Sequence, residues 1–134
     1  FCHVHKSIHS EDVKKAKELH PDALVLAHPE CTSDTLALAD FIGSTSQIID
    51  YATASDSKKF LICTEMGVFY ELMQKNPDKK FFSVGHRQFC PNMKKVSLDK
   101  VLEKLEVLKD EVILPEEMGE QAKKPLDEML RLAQ

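Results

Sequence analysis

The residues of this chain whose types could do chemistry fall in four short segments. Cys2-His3-Val4-His5 sets a thiol and an imidazole three positions apart. His28-Pro29-Glu30-Cys31 packs an imidazole, a carboxylate and a thiol into four positions. Gly43-Ser44-Thr45-Ser46-Gln47 offers a run of hydroxyls, and Cys90-Pro91-Asn92-Met93-Lys94-Lys95 adds a thiol followed by two cations. Thiolates suit soft metals, imidazole and carboxylate suit proton transfer, and hydroxyls at a helix start join free backbone N–H groups to hold an anion. Together the four segments read as parts of one metal-assisted anion site.

Each segment also has a plainer reading. A single histidine is commonly a loop or surface residue. Ser or Thr at a helix start is commonly just a cap. Free cysteines are commonly small buried hydrophobes. Cys2-x-x-His5 is half a zinc site with no second pair to complete it. Cys90-Pro91 is like the Cys-Pro that closes some iron–sulfur segments. Cys63 lies within an apolar run and reads as core. Spacing alone leaves Cys31 open. Two thiolates do not hold a cubane cluster, so such a cluster requires a ligand from outside this chain.

The elements that must position these groups alternate. Residues 11–20 have Val13, Ala16 and Leu19 on one helical face, with Ser10 as N-cap and Pro21-Asp22 as breaker. The apolar runs 23–27, 59–63 and 80–84 read as strands buried on both faces. A helix is expected from Thr32 or Ser33 through Leu36, Ala39 and Ile42 to Gly43. Another opens at Ser44–Ser46 with Ile48, Ile49 and Ala52 inward, and another spans 67–74. Toward the end, Ser97 caps a helix, 112–114 form a short strand, Pro115 takes the first helical position, and Pro125 kinks or splits the last helix. Alternating strands and helices predict an α/β fold: three layers, α/β/α, on a short parallel sheet. In such sheets ligands sit beyond the carboxyl ends of the strands, where His28-Pro29-Glu30, Thr64-Glu65 and Gly85-His86-Arg87 all fall.

At 134 residues the chain can bury a real core, and 43% hydrophobic with 30% charged residues fits a globular protein. A net charge of −4 argues against a nucleic-acid surface. No apolar run reaches the roughly 20 residues needed to cross a bilayer, so no membrane partner is expected. The four glycines form no G-x-G-x-x-G, which excludes a dinucleotide fingerprint. With a normal core the four cysteines need not pair, and reduced thiols in the cytoplasm are expected. The chain opens Phe-Cys-His inside a motif and reads as a portion of a longer protein.

Six stretches carry a collinear resemblance. They are Cys2-His3-Val4-His5, His20-Pro21-Asp22-Ala23, His28-Pro29-Glu30-Cys31, Ala39 through Ile49, Cys90-Pro91-Asn92-Met93-Lys94-Lys95, and Pro115-Glu116-Glu117 through Pro125-Leu126. In this order they resemble the C-terminal portion of the quinolinate synthase family, iron–sulfur enzymes of NAD biosynthesis. The resemblance implies three similar α/β layers around a pseudo-threefold axis. Residues 1–88 are then the third layer, and 89–134 the cluster-ligand segment with the C-terminal closing helices.

It further implies a 4Fe–4S cluster held by Cys2 and Cys90, with the remaining cysteine supplied upstream, and Cys31 near the site but off the cluster. The implied reaction condenses iminoaspartate with dihydroxyacetone phosphate to quinolinate, phosphate and water. The cluster acts in it as a Lewis acid. His5, His28 and Glu30 are the implied proton-transfer residues; His28, Glu30, Ser44 and Thr45 are the implied substrate holders. Lys6 departs from the family, many members of which carry Glu there. An aspartate oxidase or dehydrogenase that makes iminoaspartate is the implied pathway neighbour, and the isolated piece is expected to be inactive. Two other readings are a metal-free α/β anion-binding module and an electron-transfer iron–sulfur protein.

Overall fold

The computed structural model describes residues 2–108 and 111–133. Their order is α1 (His3–Lys6), α2 (Ser10–Leu19), β1 (Leu24–Ala27), α3 (Ser33–Leu36), β2 (Phe41–Ile42), α4 (Thr45–Ala54), β3 (Lys59–Cys63), α5 (Val68–Lys75), β4 (Lys80–Ser83), a 3-10 turn at Met93–Lys95, α6 (Leu98–Val107) and α7 (Glu116–Leu132). The strands form one sheet in the order β2-β1-β3-β4, every pair parallel. In the register of the central pair, Leu24 to Ala27 stand beside Phe60 to Cys63.

Both faces of the sheet are covered, as apolar runs without polar alternation require. On one face Val25, Ala27, Leu61 and Cys63 pack with Ile8, Val13, Ala23, Cys31 and Val84. On the other, Leu26, Phe60 and Ile62 meet Ile48, Ile49 and Ala52 of α4 and Val68 and Leu72 of α5. This is the expected α/β/α arrangement. The described chain divides between Lys94 and Lys95 into two compact units. The second contains α6 and α7, neither of which has a buried residue.

Several local expectations are corrected. The helix expected over 32–42 stops at Leu36, and Phe41–Ile42 is an edge strand beside β1. The cause is Asp40. Its carboxylate accepts the Val25 N–H at 2.7 Å while its own N–H donates to the Val25 carbonyl at 2.8 Å, which draws the chain onto β1. Ser10 lies inside α2 behind the N-cap His9, and its hydroxyl donates to Asp34 instead of capping. Val112, Ile113 and Leu114 are exposed and form no strand, so the expected strand lacks a partner edge. Pro115 is the N-cap of α7 rather than its first residue, and α7 runs through Pro125 as one 17-residue helix. The helix His3–Lys6 was not foreseen; four residues give no periodicity to read.

Candidate functional site

Parallel pairing puts the carboxyl ends of all four strands on one edge. Crossing that edge in strand order, Gly43-Ser44 follow β2, His28 to Cys31 follow β1, Thr64-Glu65 follow β3 and Gly85-His86 lie just past β4. The ladder continues one step beyond the strands: Gly43 N–H donates to the Ala27 carbonyl at 3.0 Å and His28 N–H to the Cys63 carbonyl at 3.2 Å. The loops after β2, β1 and β3 are therefore held in register with the sheet.

Into this edge α1 inserts His5, only 7% exposed. Its Nδ1 lies 3.1 Å from Glu30 Oε2 and its Nε2 2.9 Å from Thr64 Oγ1. A carboxylate only accepts hydrogen bonds. The proton of the neutral imidazole therefore sits on Nδ1, and Nε2 accepts the Thr64 hydroxyl. His28 stacks on His5 with ring centroids 4.0 Å apart and planes 8° from parallel. Its Nδ1 accepts the Glu30 N–H at 3.3 Å and lies 3.7 Å from Glu30 Oε2. One carboxylate thus faces two imidazoles. Burial, followed by the neighbouring His5, holds His28 below the ordinary histidine value, with Glu30 opposing.

The structure separates the four cysteines, all of them free thiols, by place. Cys2 is partly exposed at the N-cap of α1, and its sulfur joins His5 and Glu30 in a group whose ligand atoms all lie within 4.8 Å of one another. Cys90 is buried, lies outside that group and has its N–H directed at Glu65 Oε1 across 3.4 Å. Burial raises the Cys31 thiol to about 11, and the thiol donates to the Cys63 carbonyl at 3.4 Å. Burial raises Cys63 to about 12 inside the core. Burial thus favours the protonated thiol at both positions.

Ser44 is the N-cap of α4. Its hydroxyl accepts the Gln47 N–H at 3.3 Å, and the Gln47 side chain accepts the Ser44 N–H at 2.8 Å. This reciprocal box uses two of the donors that an anion at the helix start requires. Thr45 and Ser46 remain exposed in the first turn, where they line a cavity of about 160 Å³ with Ile49, Asp50, Glu71 and Lys75. The structure therefore brings Cys2, His5, His28 and Glu30 together, and sets Ser44 and Thr45 on the neighbouring loop of the same edge.

Two residues of the edge had no role assigned from the sequence, although Thr64 was placed there. Thr64 reaches His5 across 59 positions of chain, a contact only the fold reveals. Gln88, only 4% exposed, accepts the Val84 N–H and donates to the carbonyls of Ile62 and Thr64, closing the ends of β3 and β4. A glutamine just ahead of a cysteine segment carried no signal of its own. Among the described residues no helix is long and apolar enough to cross a membrane.

A family model described as "Quinolinate synthetase A protein" matches residues 1–131. Curated relatives named quinolinate synthase match nearly the whole chain. One from Caldicellulosiruptor bescii is 52% identical over 132 residues, 98% of this chain and 44% of the relative. Clostridioides difficile has one 40% identical over 134 residues, covering all of this chain and 44% of the relative. A protein named quinolinate synthase 2, from Methanosarcina acetivorans, is 45% identical over 133 residues, 99% of this chain and 43% of the relative. The chain spans less than half the length of these relatives.

Proposed function

We propose, because this chain belongs to the quinolinate synthetase A protein family, that it forms the C-terminal part of a cytoplasmic quinolinate synthase. The reaction is the condensation of iminoaspartate with dihydroxyacetone phosphate, releasing phosphate and two waters, in NAD biosynthesis. The observation that carries this reading is the meeting of Cys2, His5 and Glu30 within 4.8 Å at the carboxyl edge of a parallel sheet. Residues 1–88 form one α/β layer of the whole enzyme, and 89–134 form the ligand segment and closing helices. An iminoaspartate-producing oxidase or dehydrogenase is the neighbour in the pathway.

The donor set fits an iron–sulfur cluster. By membership of the family, Cys2, beside His5 and Glu30, and Cys90, on the loop past β4, are the soft ligands of this chain, and a further cysteine comes from the rest of the protein. When bound, the cluster supplies Lewis acidity toward a substrate oxygen. The chain's own residues handle protons and charge. Glu30 fixes the His5 proton on Nδ1 and leaves Nε2 as the basic atom, shared with the Thr64 hydroxyl. His28 is kept neutral by burial; its Nδ1 accepts the Glu30 N–H, so its proton sits on Nε2 and is the one it offers to substrate. Ser44 and Thr45 offer donors for a substrate anion at the start of α4.

The test uses the full-length protein handled without oxygen. Cys2→Ala and Cys90→Ala should each abolish iron and sulfide incorporation and quinolinate formation, whereas Cys31→Ala should retain iron. Loss of iron in Cys31→Ala with retention in Cys2→Ala would overturn the ligand assignment.

A further inference from the structure

Thr64-Glu65 stands at the catalytic edge, yet the proposed reaction gives Glu65 no task. Its side chain is only 12% exposed and collects three donors. Gly67 N–H donates to Oε2 at 2.6 Å. Lys94 Nζ lies 3.2 Å from Oε1, and the Cys90 N–H points to the same atom across 3.4 Å. Two of these three donors belong to the segment that presents the Cys90 thiol. The segment then folds on itself, with Lys94 N–H reaching the Cys90 carbonyl at 3.3 Å.

Gly67 supplies an independent observation. Its φ of −59° suits any residue, so backbone freedom does not explain a glycine there. Space does: a Cβ at this position would lie 2.7 Å from Glu65 Oε2 and 3.3 Å from Lys94 Nζ. The glycine leaves room for the carboxylate and its cation. Its neighbour Met66 donates its N–H to the Gln88 carbonyl at 2.8 Å, so the turn after β3 grips the Cys90 loop at two points.

We propose that Glu65 is the positioning residue for Cys90, its carboxylate holding the loop that presents this thiol in the place left open by Gly67 and neutralised by Lys94. A charged acceptor serving backbone N–H groups is stronger than a neutral one. It ties a loop with no strand partner to the end of a central strand. That Cys90 is a cluster ligand rests on the function proposed above; that Glu65 sets the position of its thiol does not.

The experiment compares wild type with Glu65→Gln, Glu65→Ala, Lys94→Met and Gly67→Ala in the full-length protein stripped of iron. The readout is the iodoacetamide alkylation rate at each cysteine, followed by mass spectrometry. Iron uptake on reconstitution is measured in parallel. Glu65→Ala should raise the Cys90 rate roughly tenfold or more, the factor expected for local opening when a charge-assisted hydrogen bond is lost, while Cys2 keeps its rate. Glu65→Gln and Lys94→Met should fall between: the amide oxygen in the first and the carboxylate in the second still accept the N–H groups, but the ion pair is gone in both. Gly67→Ala should give a selective rise at Cys90 with both charged residues intact.

A wild-type Cys90 rate and wild-type iron uptake in Glu65→Ala would overturn the proposal. If Glu65→Ala also exposed the buried Cys63, Gly67→Ala decides: a rise confined to Cys90 supports the proposal, and an unchanged rate overturns it. Wild-type protein that takes up no iron, with the alkylation pattern as expected, would sink the functional reading and leave the role of Glu65 standing.

Discussion

Replacing Thr64 by Val should show what fixes His5. The valine keeps the shape of the side chain and deletes the hydroxyl that lies 2.9 Å from His5 Nε2. Both residues are buried, Thr64 2% and His5 7% exposed, so water does not readily replace the lost partner. A buried acceptor left without its donor costs about 1–3 kcal/mol. Thr64→Ser keeps the hydroxyl and removes one methyl group, costing about 1 kcal/mol by cavity formation. The two totals are close, so single-variant stabilities do not separate them and coupling does. In a double-mutant cycle with His5→Phe, Thr64→Val should show about 1–2 kcal/mol of interaction, and Thr64→Ser close to none. Urea denaturation of the 134-residue chain supplies the free energies. Nitrogen-15 NMR supplies the tautomer, Nδ1–H in wild type. A cycle that closes additively for Thr64→Val would refute the claim that this hydroxyl holds the ring.

Two further outcomes follow from the same edge. His28 should titrate below the ordinary 6.5, chiefly because burial penalises its charged form. The unfolded chain then takes up this proton first. The stability His28 contributes is whole above about pH 6.5 and is lost as pH falls through its lowered folded value. His28→Gln should therefore flatten the acid limb of the stability curve, and an unchanged slope would contradict the burial argument. In the cluster-free chain at pH 8, Cys31 and Cys63 should resist alkylation, their thiols lying at about 11 and about 12, while Cys2 reacts promptly. Labelling of Cys63 as fast as Cys2 in folded protein would show that the core is open.

What could be read from the sequence depended on how far each signal reached along the chain. The cores of β1, β3 and β4 were legible because Val25-Leu26-Ala27, Phe60-Leu61-Ile62 and Phe81-Phe82 lie in unbroken apolar runs flanked by turn residues. The pairing of His28 with Glu30 was legible because their spacing is local. β2 was not legible. Leu36, Ala39 and Ile42 fit a helical face, and non-local bonds to β1, the two between Asp40 and Val25 and that from Gly43 to Ala27, convert that stretch into a strand. Ser10 looked like a cap because its type and place suit one; Asp34, 24 positions away, takes its hydroxyl instead. Thr64 and Glu65 were placed at the right edge by the strand that precedes them. Their partners come from the opposite end of the chain and from the Cys90 loop, and no local pattern encodes those meetings.

The turn after β3 therefore matters more than its composition suggests. Two consecutive residues serve two segments that lie far apart in sequence. Thr64 holds the imidazole of the segment that begins with Cys2. Glu65 holds the backbone of the segment that contains Cys90. Both stem from a strand paired on each side, by β1 and by β4, so neither can shift without disturbing a register fixed by seven buried residues of β1 and β3, Val25 to Ala27 and Phe60 to Cys63. The proposed cluster site, which would draw one thiol from each segment, needs their separation to be set by something stiffer than either loop. The end of β3 is that element. Small errors at Thr64 or Glu65 should accordingly displace the two segments independently, one felt as a change at His5 and the other as a change at Cys90.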